Sequence, residues 1–329
     1  MGETLIINRD ECAKVLSIEG CMPAMAEALK AVSLGQVKML QRSMIAHDSG
    51  NTLANMPASL MSENVTGAKV IIFPGAKTAK EKTNQGIIPL FDIESGALLA
   101  IVDAELITVI RTAATSAVAS ELLAKEDAAS LAILGSGKQG KAHVKAMISV
   151  RDIKTVYMWD IFMAASVNAC EELAKEYPKV EFIPCATAKA AVENSDIICT
   201  TTPAKSTEPI LKGEWLREGA HINAVGACSG SSREIDGIAV SVADIFVDWA
   251  QAAGRDAGDL IIPYANGELK GKAEITEIGQ VLLGKAAGRQ SDKAITIFES
   301  VGISVEDIAA ANMIYKAAKA QGIGTYITI

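Results

Sequence analysis

Three cations stand where an uncompensated charge is expensive. Lys69 sits inside the apolar run GAKVIIF (67–73), Arg111 lies in a stretch otherwise filled with alanine, threonine and leucine, and Arg42 opens a strand-like segment. A desolvated cation needs an anion, supplied by the protein or by a ligand. One reading is an internal ion pair with an acid such as Asp92 or Asp103. The other is a clamp for a substrate carboxylate, because a guanidinium fork holds a planar carboxylate at two points. The residues alone leave both open. Burial also lowers a lysine's pKa, which would let Lys69 move a proton near neutral pH and makes it the candidate catalytic group.

A second constellation is the stretch LAILGSGKQG at 131–140, where an apolar run breaks into Gly135, Ser136, Gly137, Lys138, Gln139 and Gly140. Its spacing is G-x-G-x-x-G. The first glycine permits a tight turn, the second lets backbone approach a pyrophosphate, and the third lets a helix pack closely on the strand. A helix from about 141 to 150 would aim free N–H groups at the anion. The next strand, KTVYMW (154–159), ends at Asp160, roughly 20 residues past the last glycine, where a carboxylate can accept hydrogen bonds from ribose hydroxyls. Ile161, Phe162 and Met163 follow with no guanidinium, so a 2′-phosphate would meet only negative charge. The cofactor reading is NAD, with NADP left open. Thr201 and Thr202 close one later strand and are placed on the nicotinamide side, and Val225 and Gly226, which close another, are counted among the cofactor-binding residues.

The elements that must hold these groups read as follows. Residues 10–35 have helical apolar spacing for two short helices, with Pro23 opening the second and Gly35 capping it. Residues 41–58 form a hairpin about a turn at 48–51. Strands at 67–73 and 86–93 flank a polar loop at 74–85, a strand at 97–102 follows, and the result is a meander. A helix rich in small residues (105–124) leads into alternation: strands at 128–134, 154–159, 180–183, 196–201, 221–225 and 245–248, with a helix at 187–195. That alternation predicts a doubly wound sheet. Residues after 248 read as a polar region with Gly254 and Gly258. A final helix spans 305–320 and a strand returns at 322–329. The domain expectation is 1–118 together with 302–329 for substrate binding and dimerisation, and 119–301 for the dinucleotide.

Bulk properties exclude several classes. The 329 residues carry a net charge of -8 and no basic run, against nucleic-acid or anionic-membrane partners. Half the chain is hydrophobic with only 4% aromatics, which suits helices layered on a parallel sheet. Six cysteines show no C-x-x-C pair, fitting reduced thiols and no metal; Cys228 is read as a buried, inert thiol. MGETLIINRDE lacks a signal peptide's charged and apolar regions, no apolar run reaches about 18 residues, and the cytoplasm is the default. Met1-Gly2 formally resembles a myristoylation start and is read as coincidence. His143 and His221 form no motif and read as structural or cofactor-neighbouring residues, and the serines at 229–232 lack the G-x-S-x-G setting of a hydrolase elbow.

The sequence resembles the ornithine cyclodeaminase and mu-crystallin family, which includes archaeal-type alanine dehydrogenases and ketimine reductases. The resemblance runs through NMPASL (55–60), GAKVIIFPG (67–75), LFDIESGALLAIVDAELITVIRTAATSA (90–117), the glycine turn, TEPILKGEWLREGAHINAVGA (207–227) and TIFESVGISVEDIAAA (296–311). The 207–227 segment is most similar to the mu-crystallin arm. The resemblance implies a Rossmann-type α/β fold with an α+β substrate and dimerisation domain, a homodimer, and Arg42, Lys69 and Arg111 as ligands of a substrate carboxylate. It implies hydride exchange between a nicotinamide and the α-carbon of an amino or imino acid.

Two positions depart from the cyclodeaminases. Their glutamate two residues before the Met-Pro pair, which engages a distal amine, is Ala54 here, and their aspartate beyond HINAVG is replaced by Ala227, Cys228 and Ser229. The expectation is therefore an NAD(P)H-dependent reductase of an imino or 2-oxo acid, a ketimine reductase such as a 1-pyrroline-2-carboxylate reductase. An amino-acid (alanine) dehydrogenase or ornithine cyclodeaminase is the alternative within enzymes. A non-catalytic NAD(P)H or small-ligand binding protein of mu-crystallin type is the alternative of another class.

Overall fold

The structure is a computed structural model that describes residues 3–75 and 84–329. Met1 and Gly2, with their myristoylation-like reading, and residues 76–83 of the polar loop lie outside the described residues. Contacts divide the chain into two units, Met1–Ala114 with Ile303–Ile329, and Thr115–Gly302.

The first unit begins with β1 (Glu3–Ile7), α1 (Arg9–Val15) and α2 (Ile18–Ser33). Asn8 caps α1, its side chain accepting the Glu11 N–H while Glu11 accepts the Asn8 N–H, which satisfies two orphan donors at once. Pro23 does not open α2. The helix starts five residues earlier because the Ser17 hydroxyl accepts the Gly20 N–H at 3.0 Å, and Pro23 lies inside, where its missing N–H removes one bond near the N-terminus. Gly35 does end the helix: at φ +66° it donates to Val32 O, and Gln36 donates to Ala31 O, both at 2.9 Å.

There follow β2 (Val37–Met39), β3 (Ser43–Ala46), β4 (Thr52–Leu60), β5 (Val65–Phe73), β6 (Gln85–Asp92), β7 (Leu98–Asp103) and α3 (Ala104–Leu123). Strands β4 to β7 form the expected antiparallel meander, and β3 pairs β4 across a turn with Gly50 at φ +85°. β1, absent from the sequence reading, lies parallel to β7. It is too short to announce itself, and Leu5 and Ile7 become core only against the sheet. One face of the sheet is buried at Ala54, Met56, Ala58 and Leu60, at Val65, Lys69 and Ile71, and at Ile88 and Leu90. Lys69 thus occupies a place its neighbours fill with aliphatics.

The α3 helix meets the length and apolarity of a membrane span, but 67% of its most apolar stretch is buried and it carries the buried Arg111, as expected of a core helix.

The second unit continues with β8 (Ser130–Leu134), α4 (Lys138–Val150), β9 (Thr155–Trp159), α5 (Met163–Glu176), β10 (Glu181–Pro184), α6 (Ala188–Val192), β11 (Ile197–Thr200), β12 (His221–Ala224), α7 (Gly237–Ser241) and β13 (Ala243–Val247). The region read as merely polar holds two helices, α8 (Ala250–Asp256) and α9 (Gly258–Ala265). Gly258 packs rather than turns: a Cβ there would lie 1.9 Å from Ser232 O. After β14 (Ile275–Glu277), α10 (Ile278–Leu282) and β15 (Ile295–Glu299), the sheet has the order β10-β9-β8-β11-β12-β15-β13-β14 with every pairing parallel. This is the doubly wound α/β architecture, and its order reverses between β8 and β11, where such sheets bind ligands.

The chain then returns to the first unit as α11 (Ser304–Gln321) and β16 (Thr325–Thr328), which pairs β1. The alanine-rich first half of α11 is buried against β4, β5 and β6.

Candidate functional site

In the second unit, the glycine turn is built as its spacing implies, with one shift. The α4 helix starts at Lys138, three residues before the expected start, so Gly140 lies in its first turn. A Cβ there would lie 2.0 Å from Gly135 O, which is why the helix can close on the strand only with glycine. Gly135 has φ +105° and abuts Thr201 backbone. Gly137 is different: a Cβ built on it meets nothing within 4 Å, and its φ of -75° suits any residue. Protein packing therefore explains Gly135 and Gly140 but not Gly137, beside which the space is open. As N-cap it brings no side chain to the first turn of α4.

Asp160 sits at the end of β9 and accepts the Ser136 N–H at 2.9 Å and the Phe162 N–H at 3.0 Å. Thr201 donates its hydroxyl to Gly135 O at 2.9 Å, tying β11 to the turn. Thr202 N–H and hydroxyl both reach one oxygen of Glu234 (2.8 and 2.5 Å), and Gly226 N–H reaches the other (2.8 Å). Glu234, missed in the sequence, thus gathers the ends of β11 and β12. Burial pushes its carboxyl above the usual range against these donors. Val225 is buried beside Gly226, and Cys228 is exposed rather than buried, its thiol donating weakly to carbonyls of the turn after β12.

His143 and His221 are fully buried and neutral, pushed down by desolvation to about 4 and about 3. His143 Nδ1 donates to Gln139 O at 2.8 Å, leaving Nε2 to accept the Ser116 hydroxyl at 3.0 Å.

In the first unit, Lys69 and Arg111 meet on one carboxylate. Lys69 Nζ lies 2.9 and 2.8 Å from the two oxygens of Asp307, and Arg111 Nε donates to Asp307 Oδ1 at 3.0 Å. Arg111 Nη1 donates to Glu306 at 2.8 Å. Thr108, one turn before Arg111 on α3, accepts a longer contact from Lys69 at 3.4 Å. Both acids lie in the first turn of α11, where the helix dipole favours negative charge. The internal partners are therefore Glu306 and Asp307, not Asp92 or Asp103. Asp92 takes the Ser95 and Asn64 donors, and Asp103 caps α3 at Leu106.

Arg42 is half-buried between β2 and β3, near enough to Lys69 to act on its charge. Burial drives the Lys69 pKa down to about 8, Asp307 opposes, and Arg111 and Arg42 lower it further. Burial alone would raise Asp307, but Arg111 and Lys69 hold it below the usual carboxylate range.

A parallel sheet with a glycine turn at its switch point is the architecture of dinucleotide-binding proteins, and here it is joined to a unit that concentrates buried cations. The comparisons agree with that class. The family model for the ornithine cyclodeaminase/mu-crystallin family matches residues 3–322. A Delta(1)-pyrroline-2-carboxylate reductase of Bacillus cereus is 33% identical over 98% of this chain and 99% of its own. The ketimine reductase mu-crystallin of Mus musculus is 36% identical over 80% of this chain and 79% of its own. The solved structure of Thermococcus litoralis Delta(1)-pyrroline-2-carboxylate reductase, in complex with NADH and L-proline, superposes with a TM-score of 0.92 at 30% identity, covering 98% of this chain and 100% of that one. The chain belongs to the ornithine cyclodeaminase/mu-crystallin family.

Proposed function

We propose that this protein is an NAD(H)-dependent reductase of a cyclic or N-substituted α-imino acid, acting at the carbon next to a carboxylate. One observation carries the reading: the chain is similar along nearly its whole length to a Delta(1)-pyrroline-2-carboxylate reductase whose structure holds NADH and L-proline. The bare Gly137 at the start of α4 and the Asp160 carboxylate fit a dinucleotide. Gly135, Ser136, Gly137, Lys138, Gln139 and Gly140 would hold its phosphates, Asp160 its ribose, and Thr201, Thr202, Val225 and Gly226 its nicotinamide end. The bound nicotinamide supplies the hydride that the imine carbon accepts.

Arg42, Lys69 and Arg111 would bind and orient the substrate carboxylate, fixing which carbon is presented. Lys69, with a pKa brought down to about 8, holds a proton that it can release at working pH, and we assign it protonation of the amine nitrogen. Ala54 supports reduction over cyclisation of a diamine. It is buried on β4 opposite Ile71, where the cyclodeaminase glutamate would grip a second amine.

Self-association through the first unit accompanies this reading: Leu40, Met44 and Ile45 around β3 are each more than half exposed, at 71, 56 and 57%. A cytoplasmic setting fits six free cysteines, five of them buried.

The test is substrate discrimination. NADH consumption with 1-pyrroline-2-carboxylate supports the reading. Ammonia release from ornithine without net redox, or turnover only with pyruvate and ammonia, would replace it.

A further inference from the structure

A cation meant for a substrate is a poor tool if it is neutral or aimed elsewhere when the substrate arrives. Lys69 faces both hazards. It is 1% exposed, its side chain leaves a strand whose other inward residues are aliphatic, and two further cations repel its charge. Among the described residues, Asp307 opposes all three effects most strongly. Its Oδ1 accepts hydrogen bonds from both Lys69 and Arg111, and Lys69 Nζ also lies 2.8 Å from Oδ2, so a single carboxylate sets the separation of the two cations. Asp307 is fully buried and sits on the first turn of α11, which packs against β4, β5 and β6. Glu306 completes the frame by taking Arg111 Nη1, while its oxygen also lies 3.4 Å from the Ile303 N–H.

We propose that Asp307 is a positioning residue for the reductive chemistry, holding Lys69 charged and aimed beside Arg111 until a substrate carboxylate joins them. This rests on the reductase reading above and assigns the residue that makes its catalytic lysine usable. Asp307 need not touch the substrate: it acts through Lys69. Among the described residues, the charged groups that act most strongly on Lys69 are Asp307 on α11, Arg111 on α3 and Arg42 between β2 and β3. Glu306 acts through Arg111, and the Cys21 thiol of α2 stays neutral because burial pushes it up to about 12.

The signs are distinctive. Neutralising Asp307 removes the group that most raises the lysine's pKa, so protonated Lys69 should be lost at lower pH. It also removes an anion that competes with the substrate carboxylate for the same cations. The substitution Asp307→Asn should therefore lower kcat about tenfold or more without raising KM, and shift the alkaline limb of kcat/KM down by about one pH unit. A residue needed only for packing would raise KM or lower Tm and leave the limb in place.

The experiment measures pH profiles of NADH-dependent reduction of 1-pyrroline-2-carboxylate for the wild type and Asp307→Asn. In parallel, the pH dependence of pyrrole-2-carboxylate affinity is measured by calorimetry with the NAD-saturated proteins. A downward shift of both limbs supports the proposal, and an unshifted limb with wild-type kcat overturns it. If the wild type turns over no imine yet the binding limb moves, the reductase reading falls while the positioning role stands. Should Asp307→Asn not melt cooperatively, Asp307→Glu replaces it. The retained charge should keep the limb in place while the displaced carboxylate lowers kcat, and wild-type kcat in that variant overturns the proposal.

Discussion

The carboxylate of Asp160 accepts the backbone N–H of Ser136 at 2.9 Å, so the acid that ends β9 and the glycine turn that ends β8 are locked together. A second N–H, from Phe162, holds the other oxygen. The acid cannot easily swing aside for a 2′-phosphate, and Ile161, Phe162 and Met163 beside it bring no cation. Asp160→Ala should weaken NADH binding about tenfold, the scale of a lost charge-assisted hydrogen bond, while binding NADPH no worse than the wild type. Fluorescence titration of both nucleotides checks this, and an unchanged ratio of the two affinities removes Asp160 from cofactor choice.

Two glycines of the same turn should fail in different ways. Gly140→Ala forces a Cβ to 2.0 Å from Gly135 O and should destabilise the fold by several kcal/mol, read as a lowered Tm. Gly137→Ala meets no protein atom within 4 Å, so Tm of the cofactor-free protein should hold while NADH affinity drops at least tenfold. Equal losses of stability would mean that Gly137 serves packing, not a ligand.

The exposed apolar side chains around β3 predict a partner of the same sequence. Ile45 is 57% exposed on a strand whose four residues are all solvent-facing. Ile45→Lys should convert a dimer to monomers at micromolar concentration without lowering kcat on a per-chain basis at high concentration. Light scattering after size exclusion decides it. A wild type that elutes as a monomer ends the argument.

What could be read from the sequence was what is local. The turn at Gly135 to Gly140, the meander and the alternating second unit announce themselves through apolar runs and glycine spacing over short distances. The partners of Lys69 did not, because Asp307 lies 238 residues away and only the fold brings it near. A signal existed: VEDIAAA places two acids in a helix too rich in alanine to be a surface element, and acids in a buried helix require cations. Glu234 offered no such signal, since its role depends on two strand ends meeting above it. Pro23 misled because a proline tolerated early inside a helix looks the same as one that starts it. Cys228 misled because a free thiol is more often buried than not, whereas the turn after β12 leaves this one exposed.

His143 supplies a last prediction, from pH. Buried and neutral, it has a pKa of about 4 against an ordinary value of 6.5, with desolvation as the main cause. Below pH 6.5 the unfolded chain takes up a proton that the folded chain refuses, so this group's contribution to stability declines as pH falls from 6.5 to about 4, at about 1.4 kcal/mol per pH unit. The raw stability curve will not show it cleanly. Glu234, Asp259 and Glu299 are buried acids pushed above their ordinary range by desolvation, and they add stability over a similar range as pH falls. The informative quantity is the difference between the wild type and His143→Gln, in which the acids cancel. The wild type should lead at pH 7, through the hydrogen bonds to Gln139 and Ser116, and its lead should shrink steadily through pH 6 and 5. Chemical denaturation at a series of pH values measures this, and a lead that stays constant from pH 7 to pH 4 would show that His143 titrates normally in the folded protein.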